Sequence, residues 1–316
     1  MTVRAGAWRI AAAAVVLFVP ALPAGAEREL NAVSTIKPIH SLLSGLMEDV
    51  GTPTLLVEGS ASPHSFALKP SAVRAIHAAD VFVRVSETLE PFTGKVARAL
   101  PDSVRLVTLE DAPGVALLDR RASGTFEPHR HGSASHEDGT GAGGKDGHIW
   151  LDPDNAKAIV AYLAQVLAEA KPDAAVQLRA NAAKVHARID ALTASLEAEL
   201  APLRHKPFVV FHDAYQYFER RFGLDAVGAI TLSPELQPSA KRLTELRRKI
   251  KALAAVCVFA EPMFQPSLVA AVTEGTSARS GTLDPNGSGL EPGAELYFEL
   301  MRNMGAGLRA CLERPS

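Results

Sequence analysis

Cysteine is nearly missing from this 316-residue chain: Cys257 and Cys311 are the only two, which leaves room for one disulfide. Positive charge is not in excess either, with 33 Lys and Arg against 35 Asp and Glu and a formal charge of −2. No basic stripe is left to suggest a nucleic-acid partner. Past the first 26 residues no apolar run approaches the roughly 20 residues that a membrane helix needs, so the mature chain is expected to be soluble. No His-Glu-x-x-His pair occurs, which removes the helix-borne signature of a zinc protease. The chain does have a 47% apolar composition, ample for a packed interior.

The N-terminus supplies an address. Arg4 and Arg9 precede the apolar stretch 10–19, and Ala24, Gly25 and Ala26 come after it. This pattern predicts a secretory signal peptide over residues 1–26, cleaved before Glu27. The apolar stretch is too short to anchor in a bilayer, and Pro20 and Pro23 prevent its extension. Cleavage removes two Arg and no acid, moving the formal charge from −2 to −4. About 290 residues remain, more than one core usually organises, so two lobes are expected. In an oxidising compartment Cys257 and Cys311 are expected to pair. Closing that loop would contribute about 4 kcal/mol in the chain-entropy description.

Apolar runs alternate with amphipathic stretches in both halves, the rhythm of an α/β chain with mostly parallel central sheets. Strands are expected near 31–35, 54–58, 81–85 and 104–108, then near 208–211, 226–230 and 256–260. Helices are expected near 38–50, 71–78 and 91–100, then near 215–222, 239–252, 266–273 and 293–312. Two segments break the rhythm. Residues 127–147 hold six Gly and three His and no apolar side chain larger than Ala, the composition of a mobile loop. Residues 172–203 carry Leu178, Val185, Ile189, Leu192, Leu196 and Leu200 at helical spacing, bounded by Pro172 and Pro202. That predicts one rigid helix about 45 Å long at 1.5 Å per residue. It would separate a first lobe, 27–171, from a second, 204–316.

Three of the ten histidines sit where strands give way to loops, the position at which open α/β sheets present ligand groups. His64 comes after the strand near 54–58. His148 closes the glycine-rich loop ahead of a helix, and His212 ends the Phe208-Val209-Val210-Phe211 run. Asp284 lies between a short strand and a turn. Their spacings of 84, 64 and 72 residues match no local zinc-binding pattern, so position alone makes them candidates and no more.

Ordered blocks around these residues carry a resemblance. They are Ser62-Pro63-His64 with Leu68-Lys69-Pro70, Asp146-Gly147-His148-Ile149-Trp150-Leu151-Asp152-Pro153 and Phe211-His212-Asp213-Ala214-Tyr215-Gln216-Tyr217-Phe218. Further along come Leu232 to Lys241, Phe259-Ala260-Glu261-Pro262 and Gly281-Thr282-Leu283-Asp284-Pro285. Over nearly the whole mature chain these resemble the zinc-specific branch of the cluster A metal-binding proteins that serve ABC transporters. The resemblance implies that His64, His148, His212 and Asp284 surround Zn²⁺, that residues 1–26 export the chain to the periplasm, and that the partner is an inner-membrane permease, with a periplasmic metallochaperone as a further possible partner and a monomeric state. It also implies a His-rich loop, a connecting helix and a C-terminal disulfide. One departure stands out: some relatives have Glu immediately before the first His, where this chain has Pro63, so Asp284 or a water must complete the shell.

Three imidazoles and one carboxylate make a four-coordinate, borderline-soft set suited to Zn²⁺, whereas Mn²⁺ favours more oxygen. Manganese-selective relatives resemble this chain but carry a carboxylate where His212 stands. His129, His131 and His136 are candidates for weaker auxiliary zinc sites in the loop. Asp152 and Glu261 are expected to accept the imidazole N–H groups that face away from the metal, with Asp213 either joining them or solvated. Trp150 and Tyr215 are expected to pack, and His40, His77, His186 and His205 to serve surface or packing roles. The rival classes are a secreted zinc hydrolase, another divalent-metal carrier and a surface adhesin; Ala26-Glu27 offers no lipid-anchored Cys for surface display.

Overall fold

The computed structural model describes residues 1–2, 29–121, 144–231, 238–264 and 266–313. The signal-peptide run, residues 232–237 and the loop histidines His129, His131 and His136 lie outside the described residues.

The first lobe runs β1 (Ala32–Ser34), α1 (Lys37–Leu46), β2 (Thr54–Leu55), α2 (Pro70–His77), β3 (Val81–Arg84), α3 (Thr93–Ala97) and β4 (Arg105–Thr108). Its four strands are all parallel, in the order β2-β1-β3-β4. The second runs β5 (Pro207–His212), α6 (Gln216–Phe222), β6 (Asp225–Thr231), α7 (Ala240–Ala252), β7 (Cys257–Ala260), α8 (Pro266–Thr273), β8 (Arg279–Thr282) and α9 (Leu296–Leu312). Its sheet repeats the parallel plan as β6-β5-β7-β8. Parallel strands covered on both faces must be apolar on both faces, which is why Val81, Phe82 and Val83, or Phe208, Val209 and Val210, stand consecutively in the sequence and are all buried.

Between the two sheets in chain order come α4 (Pro153–Ala170), within the expected first lobe, and α5 (Ala175–Leu200). The expected beam is present: residues Pro172–Ala174 and Ala201–Leu203 form tighter helical turns at either end of α5, and its 26-residue α-helical part is about 39 Å long. Its apolar stripe has Leu178, Val185, Ile189, Leu192, Leu196 and Leu200 all buried, and α5 packs on α1, α4 and α9. Helix α4 packs along α5. Asp152 is the N-cap of α4 and accepts from Asp154 N at 2.9 Å. Its carboxylate satisfies a helix terminus and not an imidazole, which corrects the role expected for it.

One buried apolar cluster passes from β3 and α1 through α5 into β5 and α9, while smaller clusters fill the outer faces of each sheet. The two lobes therefore share a core. Cys257 of β7 and Cys311 of α9 are joined, with Cα atoms 6.2 Å apart, pinning the last helix to the second sheet as expected. His40 and His186 bond backbone carbonyls, Pro53 O and Lys157 O, in packing roles.

Candidate metal centre

His212 is the last residue of β5, at the carboxyl end of a parallel sheet. His64 lies between β2 and α2, and His148 stands one residue before the turn Ile149–Leu151 that leads into α4. Gly147 makes that approach possible: a Cβ there would sit 2.9 Å from the Leu89 Cβ. The fold brings all three histidines to the junction of the lobes. Their ring centroids are 5.3 Å apart for His148 and His212, 5.6 Å for His64 and His148, and 5.9 Å for His64 and His212. One ring nitrogen from each falls within a 4.8 Å group.

Their orientation is fixed from behind. Asp146 Oδ1 accepts from His148 N at 3.0 Å and lies 2.7 Å from His148 Nδ1. Glu261 Oε1 lies 2.6 Å from His212 Nδ1. An ionised carboxylate only accepts hydrogen bonds, so both Nδ1 atoms carry a proton and both Nε2 atoms face forward. Those two Nε2 atoms are 3.4 Å apart, and the buried His64 Nε2 has no hydrogen-bond partner. Two imidazole nitrogens this close need a cation between them, either a proton carried by one Nε2 or a metal ion bound by both.

Burial, together with the neighbouring His148, His212 and Arg120, pushes His64 down to about 2, so it is a neutral donor. Burial alone would lower His212, but the Glu261 carboxylate overrules it and its pKa stands above the ordinary value. Burial would likewise raise Asp146, yet the adjoining His148 holds its pKa below the usual carboxylate range.

Glu261 fills the role expected of it, and Asp146 is its counterpart on His148. The Asp-Gly-His spacing carried that signal, since an Asx side chain readily reaches backbone and side chain two residues on. Asp213 is not solvated: it pairs with Arg121 at 3.0 Å, and Arg121 also pairs with Glu219 at 2.7 Å. Asp284 does not join the three-imidazole group. Its Oδ1 accepts from Asn286 N at 3.1 Å and its Oδ2 from Ser288 N and Oγ at 2.6 Å each. It remains close by, its charge acting on Tyr215, whose ring lies 6.3 Å from that of His212.

Each lobe grips the other's part of the site. From the first lobe, Lys37 Nζ donates to the carbonyls of Gly287, Ser288 and Leu290, and Trp150 Nε1 donates to Pro285 O at 2.8 Å, holding the turn that carries Asp284. From the second lobe, Tyr217 and Gln216 hold the segment that carries Asp146. Nothing in the sequence assigns these roles to Lys37, Gln216 or Tyr217, because contacts of this kind depend on how the lobes dock.

Two parallel-sheet lobes on a helical spine, with imidazoles from both converging at the junction, define a two-lobed metal-binding protein. Comparison with known proteins gives the particular kind. The family described as zinc-uptake complex component A, periplasmic, matches residues 32–311, and the chain belongs to that family. It is similar to the high-affinity zinc uptake system protein ZnuA of Brucella suis, 43% identical over 311 residues and covering 91% of this chain and 93% of that one. The protein of the same name from Paracoccus denitrificans is 38% identical, covering 95% and 96%. Among solved structures, the laminin-binding protein of Streptococcus agalactiae, described as a bifunctional protein with adhesin and metal transporting activity, superposes with a TM-score of 0.73 at 26% identity, covering 90% of this chain and all of that one.

Proposed function

We propose that the protein captures one Zn²⁺ at the lobe junction in the periplasm and delivers it to an ABC-type permease for import. The observation that carries this reading is the 3.4 Å separation of the His148 and His212 Nε2 atoms. Two nitrogens each about 2.0 to 2.1 Å from a tetrahedral zinc stand about 3.3 to 3.4 Å apart. The zinc names of the relatives support it, as does the nitrogen-rich donor set, which suits Zn²⁺ better than Mn²⁺.

In this reading His64, His148 and His212 are three donors. Asp284 is the fourth once it exchanges a Ser288 hydrogen bond for the metal; otherwise a water fills that place. The carboxylates behind the imidazoles set their tautomers and strengthen them as donors. Asp146 and Glu261 are both spent on orientation and Asp213 on Arg121, an arrangement that favours a carrier over a hydrolase, which needs a free general base at the metal. Export by residues 1–26, a monomeric state and handling of zinc by a periplasmic metallochaperone belong to the same proposal. His129, His131 and His136 are proposed to gather further, weaker zinc equivalents.

The test is equilibrium titration of the metal-stripped protein with Zn²⁺, in competition with Mn²⁺ and Cu²⁺. One tight equivalent that Mn²⁺ does not displace is the expected result; tighter binding of Mn²⁺ than of Zn²⁺ would transfer the protein to the manganese carriers.

A further inference from the structure

The carboxylate that orients His148 is itself held from the other lobe. Asp146 spends Oδ1 on His148, while its Oδ2 accepts from Gln216 Nε2 at 3.2 Å and its backbone carbonyl accepts from the Tyr217 hydroxyl at 2.8 Å. Gln216 and Tyr217 open α6, four and five residues after His212, and belong to the second lobe. The same two side chains grip the partner segment: Leu118 N donates to the Tyr217 hydroxyl at 3.0 Å, and Gln216 Nε2 also donates to Asp119 O at 3.1 Å. These segments form a short antiparallel ladder. Arg120 N donates to Gly144 O, Asp146 N donates to Leu118 O, and Asp119 bridges Lys145.

We infer that Gln216 and Tyr217 are positioning residues for zinc retention: from the second lobe they hold the Asp146 carboxylate that holds the first lobe's imidazole. The inference rests on the proposed metal site. Separating the lobes at α6 removes both second-lobe anchors of Asp146 at once. Asp146 then keeps its backbone bond to Leu118 O within the first lobe, but its carboxylate is free to turn away from His148 Nδ1, and the imidazole loses both its fixed tautomer and its aim. The Nε2 of His212, carried on the element that runs into α6, withdraws in the same motion. One movement thus weakens two donors, so a permease that prises this edge open would release the ion without touching it. Tyr217 is buried, which shields this contact from competing water; Gln216 is half-buried.

The experiment measures zinc loss from the loaded full-length mature protein into excess chelator by stopped flow. Tyr217→Phe and Gln216→Ala are expected to speed loss by about tenfold, the lower end of what removing an outer-sphere partner does to metal binding. In an Asp146→Ala background, Gln216→Ala is expected to add nothing, because the group it positions is gone. ¹⁵N spectra of the metal-free variants should show His148 leaving the single Nδ1–H tautomer, a signature that a general loss of stability would not produce. Unchanged rates in both single variants, or the same acceleration by Gln216→Ala with and without Asp146, would overturn the inference while leaving the metal site standing. A wild-type protein that retains no zinc, or a His148→Ala variant that retains it fully, removes the site and overturns both. Should Tyr217→Phe fail to fold, Gln216→Ala carries the test alone.

Discussion

His148 Nε2 and His212 Nε2 face each other at 3.4 Å across the junction of the lobes, each backed by a carboxylate on its Nδ1. The first nitrogen belongs to the first lobe and the second to the other, so an ion between them is bound by the docked molecule and by neither lobe alone. Replacing His212 by Ala removes one of three nitrogens and the only imidazole of the second lobe among the three. Zinc affinity is expected to fall by at least a hundredfold, about 2.7 kcal/mol, in competition titrations with a chromophoric chelator. Affinity within threefold of wild type would contradict the assignment.

Glu261 offers a finer test, because it touches His212 and is fully buried. Glu261→Gln keeps the shape but replaces a charged acceptor by a neutral amide. Zinc affinity is expected to drop by about tenfold, while the metal-free protein stays folded by circular dichroism. An unchanged dissociation constant would mean that the carboxylate does not act through the imidazole.

Much of this site is legible in the chain, and the part that is not has a physical cause. His212 ends an apolar run, so its place at a strand end comes directly from the rhythm of burial. The meeting of His64 with His148 and His212 depends on lobe docking across separations that no local spacing records, and only the resemblance to a known family points to it. Asp152 stands near enough to His148 in sequence to suggest an imidazole partner, but its position before Pro153 makes it a helix cap. The grip of Gln216 and Tyr217 on Asp146 leaves no periodic trace, since a hydrogen bond across an interface fixes neither residue's neighbours in sequence.

Glu90 makes stability depend on pH away from the metal. Its carboxylate is buried and accepts from Val85 N, Ser86 N and the Thr35 hydroxyl, yet burial dominates and pushes it up to about 7 from an ordinary value of 4.5. Between those two values the folded chain keeps a proton that the unfolded chain has released. The contribution is therefore fully present below pH 4.5 and lost as pH rises through about 7. Glu90→Gln removes the titration. In urea unfolding the variant is expected to gain on the wild type by on the order of 2 kcal/mol between about pH 5 and about pH 8. A difference that does not change with pH would show that Glu90 does not titrate in this range.

The shared core limits how far the lobes can part. Apolar side chains of α5 contribute to the same buried cluster as Val83 of the first sheet and Val210 of the second, and the Lys37 and Trp150 contacts cross the junction as well. Wide opening would expose that cluster and bend a 26-residue helix, whereas local loosening around Asp146 and Asp284 breaks only hydrogen bonds. Zinc addition is accordingly expected to change the radius of gyration by less than about 1 Å in small-angle scattering. Amide hydrogen exchange should slow mainly in residues 144–148 and 284–290, with α5 unaffected. Compaction of several ångströms would mean that the lobes swing as rigid bodies, and the spine would then have to be a hinge rather than a beam.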